Sequence, residues 1–164
     1  MLMRILAIGL GSIGVLSATS LSAAAASNAQ TTVAEQRPRI AYTAFHVLDV
    51  DRSLKFYIEL LGMKERQRIP LDNGRTEILI GYGDPNGDAG ILLFHDKNRT
   101  QPYTHGDGYH RLILDVKDLP GLIAHLKDNG VKVTREPTRV DNLKLSYAFI
   151  ADPDGYALEL VESD

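Results

Sequence analysis

From residue 40 onward the sequence passes through the same order of elements twice, and this duplication restricts the fold more than any single motif does. The first pass reads as a strand over 40–47, a helix over 51–61, and strands over 63–69, 76–82 and 90–94. The second reads as a strand over 109–116, a helix over 119–129, and strands over 131–135, 144–151 and 156–161, with a loop around Pro137. Alternating apolar residues mark the strands. Leu54, Tyr57 and Leu61, with Phe56 and Leu60 beside them, give the first helix its apolar stripe, and Leu122, Ile123 and Leu126 give the second theirs. Asp49 or Asp51 caps the first helix and Asp118 the second; Gly62 and Gly130 supply left-handed exits. The copies also agree in their letters. Val47-Leu48-Asp49 matches Val116-Lys117-Asp118, Gly62-Met63-Lys64 matches Gly130-Val131-Lys132, and the Val-to-Gly separations are 15 and 14 residues. Each copy makes a sheet with one apolar face, which it must cover. The expectation is an α+β fold: one domain over 40–162, built of βαβββ modules 40–97 and 108–162, whose sheets form a curved cup. A concave, partly apolar surface suits a small molecule.

Ahead of this domain, residues 1–29 run from one positive charge at Arg4 through an apolar stretch, 5–16, to a run of small residues, 22–29. That order is expected of a secretory signal peptide, cleaved after Ala26 or Ala29, which implies a periplasmic or secreted protein. Residues 30–39 read as a polar linker. Cleavage removes Arg4 and no acid, leaving 17 basic and 21 acidic residues, a net charge of −4. There is no basic footprint for nucleic acid, and nothing after the leader is apolar and long enough to span a membrane. The chain has no Cys, which excludes disulfides, a thiolate nucleophile and a Cys-ligated metal.

The last hairpin carries the most specific motif. An apolar run, 147–151, meets the turn Asp152-Pro153-Asp154-Gly155, and the next strand alternates with Tyr156, Leu158 and Leu160 on one face and Ala157, Glu159 and Val161 on the other. Glu159 shares its face with apolar neighbours, so its carboxylate needs a partner. Asp-Pro-Asp-Gly-Tyr-Ala-Leu-Glu-Leu, 152–160, resembles the closing hairpin of the vicinal-oxygen-chelate superfamily, which includes glyoxalase I, bleomycin-resistance proteins and extradiol dioxygenases. Arg52-Ser53-Leu54-Lys55-Phe56-Tyr57 with Leu61-Gly62-Met63, and Val133-Thr134-Arg135-Glu136-Pro137, are similar to the small bacterial glyoxalase I enzymes.

The resemblance implies the duplicated βαβββ fold, a homodimer, and a divalent metal held by His, Glu, His and Glu on four cup strands. Carried onto this chain, those positions are Tyr42 and Arg111, each five residues before the Val of its helix start, Leu92, and Glu159. Leu92 has no lone pair and Arg111 is a permanent cation. The expectation is therefore a degenerate site with no metal and no cofactor. Arg111 and Glu159 pair in place of the ion, or Arg111 takes a ligand carboxylate with Tyr42 and His46 donating beside it. His46 stands where the related enzymes carry a basic residue that contacts glutathione. The ligand expected is a small anionic or aromatic molecule, with Glu159 as the one candidate catalytic group. The alternative is a metal-dependent lyase of the lactoylglutathione type, with Ni or Zn on Glu159, His46 and His110. His110 and His95 have the wrong strand parity for the cup, and a β-bulge would have to re-aim them.

Overall fold

The structure is a computed structural model that describes residues 39–164. The leader expected over 1–29, and all of the 30–39 linker but its last residue, lie outside the described residues.

The chain forms β1 (Tyr42–Val47), a helix α1 (Val50–Leu54) that widens into a π-helical turn (Lys55–Leu60), β2 (Lys64–Pro70), β3 (Arg75–Gly81) and β4 (Gly90–Asp96). It then repeats the order as β5 (Leu112–Asp115), α2 (Leu119–Asp128), β6 (Lys132–Val140), β7 (Leu145–Ala151) and β8 (Ala157–Ser163). The strand order is β1-β4-β3-β2 in one sheet and β5-β8-β7-β6 in the other. In each, the first strand runs parallel to the last and the remaining pairs are antiparallel. The duplication read from the sequence is thus a duplication of topology.

Alternation decides which residues go inside. Phe45 and Val47 of β1, Ile78 and Ile80 of β3, and Ile91 and Leu93 of β4 are buried; so are Ala148 and Ile150 of β7 and Leu158 and Leu160 of β8. Phe56, Tyr57 and Leu61 of the first helical segment and Leu119, Ile123 and Leu126 of α2 complete one continuous core. The residues between them on the strands, among them His46, Leu92, Tyr147, Phe149 and Glu159, line the opposite faces.

Asp49 caps α1, its Oδ1 accepting the Arg52 amide at 3.0 Å, and Asp118 caps α2 through the Gly121 amide at 2.9 Å. Gly62 and Gly130 leave the helices at φ 75° and 76°. The first helix departs from the regular helix expected. Its last turn closes with the Leu61 amide on the Phe56 carbonyl, five residues back. That wider turn brings the adjacent residues Phe56 and Tyr57 both into the core and leaves Leu54 half-buried. Strand limits also differ, most of all at β5 and β6. β5 begins only at Leu112, and Tyr109 instead reaches β8 with its hydroxyl, which donates to the Ala157 carbonyl at 3.0 Å. β6 continues through Pro137, where a loop was expected, to Val140. It is the outermost strand of its sheet, and its register shifts between Arg135 and Thr138, so a residue without an N–H is tolerated there.

Candidate functional site

The register confirms which positions of the two sheets correspond. Ala44 pairs with Leu92 on β1 and β4, as Ile113 pairs with Glu159 on β5 and β8. Leu92 and Glu159 are therefore equivalent places in the two sheets, and so are Tyr42 and Arg111, two residues earlier on the parallel strand.

In the second sheet these positions meet. Arg111 Nε donates to Glu159 Oε2 at 2.5 Å, and the two side chains are only 27% and 13% exposed. The pair satisfies the carboxylate that alternation places among apolar neighbours. It stands at one side of a cavity of about 510 Å³ lined by Arg111, Thr134, Arg135, Tyr147, Phe149 and Glu159. Phe149 lies directly across from Glu159 in the β7–β8 register and Tyr147 across from Val161, so both rings share the glutamate's face. Arg111 Cζ is 5.7 Å from the Phe149 ring centroid. Arg135, from β6, donates Nη1 to the Tyr147 hydroxyl at 2.6 Å, with Cζ 5.7 Å from the Tyr147 ring and 5.9 Å from the Phe149 ring. The single-residue register shift that precedes Arg135 falls at Thr134, and β2 shifts at the matching place, Arg66.

In the first sheet the corresponding residues are engaged elsewhere. Tyr42 lies against Arg66, whose Cζ is 5.8 Å from the phenol ring. The Arg66 guanidinium crosses Gly81 and Gly90, which face each other in register, and donates to the carbonyls of Tyr82 and Asp88. A Cβ at Gly90 would stand 2.4 Å from the Ile80 carbonyl oxygen, so that position demands glycine, whereas one at Gly81 would meet only the end of the Arg66 side chain, 2.6 Å from Cζ. His46 stacks on Tyr103 at 4.8 Å and meets the Phe94 ring edge at 5.0 Å. Tyr42, His46 and Leu92 are not among the residues lining the Arg111–Glu159 cavity. His95 Nδ1 lies 3.3 Å from the Val47 carbonyl, and His110 Nδ1 lies 2.5 Å from Arg111 Nη1. His105, in the loop before β5, stacks on Tyr156 at 3.9 Å.

Sequence reasoning passed over Arg135, Tyr147 and Phe149. The alternation of Tyr147 and Phe149 with Ala148 and Ile150 could have placed the two rings; nothing local points to Arg135, which reaches them only through β6–β7 pairing. It also treated the closing turn as a turn alone. Asp152, 5% exposed, accepts the Tyr57 hydroxyl at 2.8 Å and the amides of Asp154 and Tyr156 at 2.9 and 2.8 Å. Asp154 accepts the Leu48 amide at 3.1 Å, Ser53 Oγ at 3.3 Å and Arg52 Nη2 at 3.4 Å. Both aspartates therefore tie the first helix to the last hairpin. Burial raises the Asp152 carboxyl above its ordinary value despite those donors, and burial together with Asp152 raises the Tyr57 phenol. Burial pushes the Tyr109 phenol up to about 12.

Residues 39–160 match the family model described as Glyoxalase/Bleomycin resistance protein/Dioxygenase superfamily. The chain belongs to this superfamily. A probable lactoylglutathione lyase of Synechocystis is 34% identical over 125 residues, covering 76% of this chain and 95% of the relative. The lactoylglutathione lyase of Haemophilus influenzae is 33% identical over 126 residues, covering 76% and 93%. Among solved structures, the trypanothione-dependent glyoxalase I of Leishmania major superposes with a TM-score of 0.68 at 31% identity, covering 76% of this chain and 86% of that one. Glyoxalase I of Zea mays gives a TM-score of 0.71 at 31% identity, covering 77% and 45%.

The four-ligand metal that the family resemblance implies needs lone pairs at all four corresponding places. Here they hold a phenol beside an arginine, an aliphatic side chain, a guanidinium, and the carboxylate that the guanidinium already occupies. Among the described residues no three His, Cys, Asp or Glu side chains converge. The residues present do not fit that metal.

Proposed function

We propose that this glyoxalase-family chain is a metal-free binding protein, exported to the periplasm or beyond, that holds a small anionic molecule in the cavity beside Glu159. The Arg111–Glu159 pair carries the reading: the one retained acid is neutralised by a cation at the place of another ligand. An ion approaching Glu159 would first have to displace a partly buried guanidinium and then find no second donor set. The leader pattern supports export, and a net charge of −3 supports a small-molecule partner over nucleic acid. A homodimer belongs to the same proposal. β1 and β5, like β2 and β6, each pair with one strand only, so edge strands are left for a second copy.

The names of the relatives favour a second reading, a lactoylglutathione-lyase type enzyme. Elemental analysis of the protein purified from the envelope fraction separates the two. The binding reading expects well under one Ni, Zn, Mn or Fe per chain, and no turnover of the methylglyoxal–glutathione hemithioacetal after loading with those metals. One tightly held metal per chain with turnover above background establishes the lyase and removes the binding reading.

A further inference from the structure

We infer that Arg135 is the charge-recognition residue of this cavity and that the ligand it selects is an aromatic monocarboxylate, an inference that rests on the metal-free binding reading above. The cavity holds two guanidinium groups and one carboxylate. Glu159 is committed to Arg111, whose Nε it accepts at 2.5 Å, while Arg111 Nη1 faces the His110 ring. Among the described residues no carboxylate lies within ion-pair distance of Arg135. Its one bond is from Nη1 to a neutral phenol, that of Tyr147. The cavity therefore carries one positive charge in excess, and Arg135 bears it.

The geometry around Arg135 sets the shape of the anion. The guanidinium lies 5.7 and 5.9 Å from the Tyr147 and Phe149 rings, which meet edge to face at 5.7 Å and 83°. Contact with the rings and the Tyr147 hydroxyl restrains the planar fork, which suits the two oxygens of a carboxylate. The same two rings form the apolar wall next to that fork, so a flat apolar body joined directly to the carboxylate covers them. A volume of about 510 Å³ accommodates a substituted single ring. A second negative charge on the ligand would find no second free cation in the cavity, because Arg111 is already paired with Glu159. That disfavours inorganic phosphate and dicarboxylates, and a short aliphatic acid would leave the rings wet. Arg111 takes the supporting part: held by Glu159, it keeps the far wall neutral and fixes Phe149 through its contact at 5.7 Å.

Calorimetric titration of the full chain tests this with benzoate, benzyl alcohol, acetate and inorganic phosphate as probes, each with and without EDTA. Saturable benzoate binding that EDTA leaves unchanged, at least tenfold tighter than for the other three probes, is the expected result. Arg135→Gln should weaken it by about tenfold to a hundredfold, the loss that goes with a hydrogen bond to a charged group. Arg135→Lys should recover only part, since it keeps the charge and loses the fork. Arg135 is exposed, and an unchanged circular dichroism spectrum shows that each variant is folded. Equal benzoate affinity in wild type and Arg135→Gln overturns the assignment of Arg135. Phosphate or acetate binding as tightly as benzoate, or no saturable benzoate binding by metal-free protein, overturns the ligand class and leaves the metal-free reading standing. Benzoate binding that EDTA abolishes and added metal restores overturns both.

Discussion

Glu159 is the residue on which the chemistry of the site turns. Its neighbours Leu158 and Leu160 are fully buried on the other face of β8, so the strand's register cannot slip to release it. Arg111 is what makes the position tolerable. Glu159→Ala is expected to lower stability by about 1–3 kcal/mol, because it strands a partly buried guanidinium, and the double substitution Glu159→Leu with Arg111→Met to recover most of that loss. Urea denaturation of Glu159→Leu, Arg111→Met and their double variant checks it; additive losses would show that the two groups are not coupled. Tyr109 makes a separate prediction in alkali. Its ordinary value is 10.0, and in the folded chain burial raises it to about 12. Between these values the folded state holds a proton that the unfolded state has released. The stabilisation is therefore full below pH 10 and is lost as pH rises toward 12. Tyr109→Phe should flatten the fall in denaturation midpoint across that window, and a fall as steep as that of wild type would contradict the assignment.

The closing hairpin does two jobs at the level of elements. Pro153 and Gly155, the latter at φ 94°, make the turn, and this much is legible in the letters. What the letters do not reveal is how the carboxylates of Asp152 and Asp154 reach the first module, because their partners there lie 95 to 106 residues away. The Leu48 amide, Ser53 and Arg52 gather on Asp154 where β1 gives way to α1. Asp154→Ala should therefore cost about 1–3 kcal/mol, with the loss shared by both modules. Hydrogen exchange would report it as faster exchange around α1 as well as in the hairpin; an effect confined to 152–157 would show that the contact does not join the modules. The first helix teaches the same lesson. Leu54, Tyr57 and Leu61 fit a regular stripe, yet the packing that takes both Phe56 and Tyr57 inside widens the turn. The apolar stripe reached the core as read, and only the spacing of the last turn's hydrogen bonds was set by tertiary packing.

For the whole molecule, the second copy is the open structural question with a direct measurement. Light scattering coupled to size exclusion should give twice the mass of the mature chain, and a monomer at micromolar concentration would remove the proposed dimer. The sequence by itself determined the duplicated α+β architecture, its element order and the buried face of nearly every strand. Those follow from local alternation, caps and turns repeated in two copies; that Tyr42, Leu92, Arg111 and Glu159 hold corresponding places was implied by the family resemblance, and the strand register pairs them in the same way. Only the tertiary structure decided which of these residues share a cavity. It joined Arg111 and Glu159, added Arg135, Tyr147 and Phe149, and gave Tyr42 to Arg66 and His46 to Tyr103. Such partnerships depend on which strands lie side by side and how their bulges turn a side chain, and neither is written in the periodicity of a single strand.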